Sequence, residues 1–437
     1  MFHSSTVSDL FDFIRRSPTP WHAVAQMSER LACQGFVSLN ESDAWALVPG
    51  QRYFCVRDDG ALAAFQLPAG ELAGLRMIGA HTDSPSLRFK PAPLQVGSGW
   101  ASVGVEVYGG ALLAPWFDRD LGVAGRVVVR RSRGEIERRL LHVDRALAVI
   151  PSLAIHLDRE ANQGRSYNAQ TRMAPVMWQT GGDGDGDTPA VETLIKDWLA
   201  ERHGPEDLEV LDFNLAFHDV QPPAQSGLAG ELISSARLDN LLSCYCAMRA
   251  LIDSDGRQGA LLIANDHEEV GSASTGGAQG TFLSDVVARI AEARGSGGAE
   301  GRVRLMQASR LISCDNAHGV HPAWPDKHDP QHRPQLNGGP VIKANESQRY
   351  ATSAATGALF RDVCREAGVP VQTFVSRADM PCGTTIGPLT ATRTGVPTLD
   401  IGLAQWAMHS IRETAGARDP DYLIRALTAF CNREALF

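Results

Sequence analysis

Two textures of apolar and polar positions alternate along the chain. Over residues 1–91 and 234–437, short runs that are apolar throughout alternate with stretches spaced for one face of a helix. Strands are expected at Ala44–Leu47, Arg52–Arg57 and Ala61–Phe65, a meander turned at Asp58-Asp59-Gly60. Further strands are expected at Leu75–His81, Gly259–Asn265, Arg310–Cys314, around Val341, at Val371–Ser376 and at Thr398–Gly402. Helices are predicted from Ser8 to Cys33 with a break at Ser17-Pro-Thr-Pro20, and at Leu241–Ile252, Phe282–Ala293, Thr352–Ala367 and Asp421–Phe430. Met380–Pro388 reads as a turn of small residues. Between 92 and 233 the texture changes to β-type runs, Val103–Tyr108, Gly125–Arg130 and Arg138–Val143, separated by Gly and charged turns. The pattern predicts an α/β domain, 1–91 and 234–437, interrupted by an inserted β-rich domain, 92–233.

Composition narrows the class. The 437 residues are 43% hydrophobic and 21% charged, with a formal net charge of −9, which disfavours a nucleic-acid binder. A run of ~18 apolar residues that could span a bilayer is missing. The first ten residues lack a basic segment followed by an apolar core, so a signal peptide is not expected. The eight cysteines are scattered through segments that read as core, which suits a reduced, cytoplasmic setting. Cys244-Tyr-Cys246 has no partner pair and reads as buried helix. Gly181–Asp187 mimics the start of a calcium loop, but Thr188 and Leu194 stand where a turn glycine and a bidentate Glu are required, so it reads as a plain loop.

Chemistry-bearing residues collect where predicted strands end. His81 closes one strand and is followed by Asp83; Asp239 lies in a turn leading into a helix; Glu268-Glu269 follow Gly259–Asn265; Asp315 follows Arg310–Cys314; His409 lies just beyond Thr398–Gly402. Ligands in open α/β sheets bind outside the carboxyl ends of the strands. Singly, each residue has a plain structural reading, such as an N-cap for Asp239. Together they supply two imidazoles and several carboxylates to one sheet edge. That mixture suits two zinc-type ions about 3.5–4 Å apart with one bridging carboxylate. Asp239 is the expected bridge, with His81 and Asp315 on one ion and Glu269 and His409 on the other. Manganese or cobalt fits the same ligands. The ions would lower the pKa of water to about 7, and Glu268 would take its proton and pass it to the leaving amine. Asp83 would orient His81 from behind. His318, His321, His328 and His332 share a loop without regular spacing, which favours solvent-facing or hydrogen-bonding roles.

His81-Thr-Asp-Ser-Pro, Arg237-Leu-Asp-Asn, Asp266-His-Glu-Glu-Val-Gly-Ser, Ser313-Cys-Asp-Asn-Ala-His, Gly339-Pro-Val-Ile-Lys-Ala-Asn, Gln348-Arg-Tyr-Ala-Thr, Cys382-Gly-Thr-Thr-Ile-Gly-Pro and Met408-His-Ser-Ile-Arg-Glu carry a resemblance. As a set they resemble the M18 family of metallo-aminopeptidases, the aspartyl aminopeptidases. The similarity includes Ser17-Pro-Thr-Pro-Trp-His and Trp116-Phe-Asp-Arg-Asp-Leu, so it runs nearly end to end. It implies a zinc-peptidase fold, a mixed sheet flanked by helices, with the insert serving dimerisation and commonly a dodecameric, tetrahedral shell. It also implies removal of N-terminal Asp or Glu from peptides, with Lys343 and Tyr350 on the substrate side. His156 matches an insert histidine that in the family reaches a neighbouring subunit's active site. Ala378 departs from the pattern, since a polar residue is expected there, and this weakens the implied acidic preference. The competing readings are a broad or neutral aminopeptidase and an inactive metal-binding scaffold. The scaffold is disfavoured because Glu268 and all five ligand positions are present.

Overall fold

The structure is a computed structural model that describes residues 5–180 and 189–436; the Gly181–Asp187 loop lies outside them. The chain forms two compact units, one of residues 1–84, 223–408 and 413–437, the other of 85–222 and 409–412. Among the described residues no helix is long and apolar enough to cross a membrane.

The first unit is built on a nine-stranded sheet in the order Val37–Leu39, Arg52–Arg57, Ala61–Gln66, Gly259–Asn265, Leu75–His81, Arg310–Cys314, Thr398–Gly402, Val341–Ala344, Gln372–Val375. Its centre, from Gly259–Asn265 to Thr398–Gly402, is four parallel neighbours. Every residue of Leu75–His81 and of Gly259–Asn265 is buried. A strand buried on both faces must be apolar throughout, which is why these runs show no alternation. The period of two survives in what each side chain meets. Ile78, Ala80, Leu262, Ala264 and Ile312 pack in one core with the helices Ser5–Arg15, Pro20–Cys33, Leu238–Asp253, Ala354–Ala367 and Asp419–Asn432. Met77, Leu261, Ile263 and Leu311 pack on the opposite face with Phe282–Ala293 and Gly298–Ala308. A second, five-stranded sheet joins Ala224–Ser226, Leu232–Ser235, Glu413–Gly416, Ala404–Trp406 and Ala317–His318.

One charge sits inside this framework. Arg76, 2% exposed, lies on the Leu75–His81 strand. Its guanidinium donates to the carbonyls of Gly74 (2.9 Å), Arg433 (2.8 Å) and Glu434 (2.6 Å), so the buried cation is hydrogen-bonded by backbone dipoles.

The meander is present and turns at Asp58 and Asp59, both left-handed (φ 49° and 58°). Ala44–Leu47, however, is not a strand. Trp45 fixes this segment by its side chain instead: the indole donates to Asn40 O (2.8 Å), stacks on Phe65 and lies under Arg289. The small-residue turn also ends earlier than expected, because Thr385 caps a helix, Ile386–Thr394, by accepting the Gly387 amide (3.3 Å).

The second unit is a six-stranded antiparallel sheet in the order Ile136–Ala148, Leu121–Arg131, Leu208–Asp219, Ser86–Gly97, Trp100–Tyr108, Val176–Gln179. Val123, Val127, Val129, Leu141, Leu215 and Phe217 form its core with Ile195, Trp198 and Leu199 of the Val191–His203 helix. Residue 92 falls within the continuous strand Ser86–Gly97, whose pairing with Trp100–Tyr108 shifts between Phe89 and Leu94. The unit therefore starts at Pro85 and its main segment closes at Pro222.

Candidate active site

The four parallel strands release their chains at one edge, and the polar side chains appear there. His81 is the last residue of its strand, opposite Asn265 in the neighbouring one. Beyond Asn265 the backbone turns sharply: His267 is left-handed (φ 61°), Glu268–Val270 make one short helical turn, and Gly271 closes it (φ 95°). Asp83, fully buried, holds this turn from beneath. Its carboxylate oxygens accept the amides of Glu268 and Glu269, each at 3.1 Å.

His81 is the hub. Its Nδ1 donates to the Asp83 carbonyl (3.0 Å), since a carbonyl only accepts, and this places the ring's lone pair on Nε2. That Nε2 lies 3.4 Å from Asp239 Oδ1 and 3.5 Å from Asp315 Oδ1. His81, Asp239 and Glu269 each present a donor atom within 4.8 Å of the others. Asp239 and Asn240 break the helical geometry at the start of Leu238–Asp253, and the bond between them is cis. Asp315 Oδ2 accepts from the Lys343 ammonium (3.3 Å), which also donates to Asn316 O (3.2 Å) and lies 5.1 Å from the Tyr350 ring.

Asp239 is set by residues that the strand-end pattern does not reveal. Its amide donates to Glu413 Oε2 (2.9 Å) and its carbonyl accepts from Ser84 (2.5 Å). Glu413, 1% exposed, also accepts from Gln405 (3.3 Å), which in turn accepts from Asn316 (2.9 Å). Asn240 donates to Cys314 O and Asn316 to Leu238 O, both at 2.9 Å, tying the Asp239 turn to the Asp315 strand. An Asn one residue after both Asp239 and Asp315 was the available signal, but partners more than 70 residues apart cannot be assigned without the fold.

The electrostatics call for a cation. Burial raises the pKa of Glu268 to about 7, helped by the charges of Asp315, Asp239 and Asp83. Glu269 is raised well above the carboxylate range, first by burial and then by Asp239. Burial opposes charge on His81, yet Asp239, Asp315 and Asp83 outweigh it and hold the imidazole well above its ordinary value. Burial also opposes charge on Asp315, but the charge of Lys343, and after it the neighbouring His81, keep it below the ordinary value. Carboxylates crowded in a buried site each disfavour the charge of the next, and a metal ion offsets that cost. An imidazole nitrogen with carboxylate oxygens is a donor set that zinc takes, so the residues fit the ion.

The remaining expected residues are placed as follows. His409 belongs to the second unit, left-handed (φ 68°), and its Nδ1 donates to Gly110 O (3.1 Å), the same tautomer logic as His81. His156 is exposed in a turn of that unit. Tyr350 is 5% exposed, and Ala378 is exposed. Tyr350 lines a cavity of about 310 Å³ together with His318, His321, His328, Lys327 and Arg377. The histidine-rich loop thus has hydrogen-bonding roles and cavity positions: His328 accepts the His321 amide (3.2 Å) and His332 pairs with Asp329.

Comparison with known proteins gives the family. The family described as "Aminopeptidase I zinc metalloprotease (M18)" matches residues 13–431. The chain is 50% identical over 423 residues to "Probable M18 family aminopeptidase 2" of Pseudomonas savastanoi pv. phaseolicola, covering 96% of both chains, and equally to that of Azotobacter vinelandii. Among solved structures it is similar to the Ape4 and Nbr1 complex (TM-score 0.93, 36% identity, 98% of this chain and 85% of that one). It is also similar to the S. cerevisiae mApe1 dodecamer (TM-score 0.84, 27% identity, 98% and 96%). The chain belongs to the M18 family, and it is a metal-dependent aminopeptidase.

Proposed function

We propose that this enzyme removes acidic residues from the N-termini of peptides at a two-zinc centre held by His81, Asp239, Glu269, Asp315 and His409. The observation that carries the metal reading is His81 Nε2 lying between Asp239 and Asp315, with Glu269 within ligand reach. When bound, the ions supply Lewis acidity and lower the pKa of water. Glu268 takes the proton of the attacking water and returns it to the leaving amine. Burial gives its carboxylate an affinity for protons suited to that exchange near neutrality. Asp83 is a positioning residue: it fixes the backbone of Glu268 and Glu269 and accepts no part of the chemistry.

Acidic selection is supported by Lys327 and Arg377 in the lining of the cavity beside Tyr350, although Asp379 pairs with Arg377 there. Lys343 is assigned to the same end of the site through its contact with Tyr350, although its ammonium also holds Asp315. Assembly into a homo-oligomer is supported by Leu153, Ile155 and Leu157, which flank His156 and are 51%, 48% and 75% exposed. In that assembly His156 would serve a neighbouring copy's site.

Hydrolysis of Asp-, Glu-, Ala- and Leu-anilides by zinc-reconstituted protein tests the reading. Turnover is expected on the acidic pair, and Glu268→Gln should lower it by about 10²–10⁴-fold. Lys343→Ala should depress acidic substrates more than neutral ones. An equal loss on all four would reduce Lys343 to the support of Asp315, and faster turnover of Ala and Leu would establish a broad aminopeptidase.

A further inference from the structure

We propose a separate divalent-metal site, for an ion of the zinc class, on the face of the six-stranded sheet, held by His142, Asp144 and His218. These residues come from two strands, Ile136–Ala148 and Leu208–Asp219, that flank Leu121–Arg131 on either side. His142 pairs with Ala124 of the central strand and His218 with Gly122, two positions along on the same face. Small residues at both places let side chains from the outer strands meet across the middle one. The imidazole rings approach to 5.0 Å between centroids at 64°. A Cβ on Gly122 would come within 2.7 Å of His218 Nε2, so the glycine is the notch that admits the ring.

The third donor follows from the strand period. Asp144, two residues after His142, places its Oδ1 4.0 Å from His142 Nε2. One donor atom from each of the three residues lies within 4.8 Å of the others. His218 Nδ1 donates to the Asp219 carbonyl (3.3 Å), which leaves the lone pair on Nε2, the nitrogen facing the notch. This is the tautomer arrangement that backbone carbonyls impose on metal-binding histidines. Nε2 of both rings is buried, whereas the Asp144 side chain is 44% exposed, so the cluster has a dry inner side and a solvent-facing entrance. Two imidazoles and one carboxylate fill three of zinc's four tetrahedral positions, leaving one for water. Such an ion would clasp two strands that lie on either side of a third, through histidines more than 70 positions apart in sequence.

The test is zinc counting on the full-length protein equilibrated at fixed free Zn²⁺, then desalted and measured by elemental mass spectrometry. Wild type is expected to hold one zinc per chain more than His142→Ala/His218→Ala, with anilide hydrolysis retained by the variant. Equal zinc content in the two folded proteins overturns the proposal. Should the double substitution prevent folding, Asp144→Asn decides, because that side chain is partly exposed. It should weaken binding of the additional zinc by roughly tenfold or more. Unchanged zinc content and affinity in Asp144→Asn overturns the site. Because the readout is metal content, the outcome is independent of which peptides the enzyme cleaves.

Discussion

The two sheets place their chemistry in opposite ways. In the nine-stranded sheet the parallel strands are mostly apolar, with isolated buried exceptions such as Arg76 and Asp400, and the clustered polar groups come where the strands end: His81, the turn after Asn265, Asp315. In the six-stranded sheet the histidines stand in mid-strand, on a face, with glycine and alanine between them. A strand end can aim a side chain through loop geometry, so its neighbours need only be buried. A face site depends on register, because slipping one strand by one residue would turn His142 or His218 to the other side. The first arrangement tolerates change along its strands; the second is set by a single small residue.

Substitutions that probe this contrast should differ in size and kind. The largest effect is expected at Asp83, which serves the strand-end site alone. Asp83→Asn offers one acceptor oxygen where two amides need one each. We expect kcat to fall by about 10–100-fold with KM nearly unchanged, because Glu268 is displaced while substrate contacts persist. A rise in KM at constant kcat would assign Asp83 to substrate binding instead. Next is Gly122→Val, which fills the notch beside His218 and presses on Val143 O, 2.5 Å from an added Cβ. It should cost about 1–3 kcal/mol, read from the urea midpoint at unchanged m-value. A wild-type midpoint would show that the face has slack and that register does not depend on this residue.

The smallest effect sharpens what a cation does for a buried carboxylate. Asp315 has Lys343 and His81 beside it and is held below its ordinary pKa despite burial. Asp419 is also buried but accepts only backbone amides, Asn337 (2.6 Å) and Gly339 (2.9 Å), and burial pushes it up to about 7. Its folded pKa is therefore above the unfolded value of about 3.9. The stability it contributes is fully present below that value and is lost as pH rises toward 7. Asp419→Asn should flatten the fall in unfolding free energy across this window. An unchanged slope would mean that the two amides, not burial, govern Asp419.

What was readable in the sequence follows the same division. Gly259–Asn265 and Leu75–His81 could be recognised because uninterrupted apolar runs have one common use, and their last residues could be assigned to one edge. The Trp45 segment was misread because a short apolar stretch resembles a strand whether its backbone pairs or its tryptophan anchors it. Glu413, Gln405 and Asn316 were invisible for another reason: each is an ordinary polar residue until the second sheet carries it under Asp239. His142 and His218 escaped likewise, since only strand pairing shows that positions 142 and 218 are neighbours.

Arg76 gives the chain a dependence on synthesis order. Two of its three carbonyl partners belong to residues 357 and 358 positions later, so the strand that ends in His81 holds a buried guanidinium that nearly the whole chain must be made to satisfy. A ribosome stalled before residue 433 leaves that charge without its two distal acceptors and the strand unable to close over it. Truncated products would then expose the apolar strand to proteases and chaperones before the edge that carries His81 could form. The arginine acts as a checkpoint on synthesis past Glu434, reading a distant segment from the middle of the first sheet.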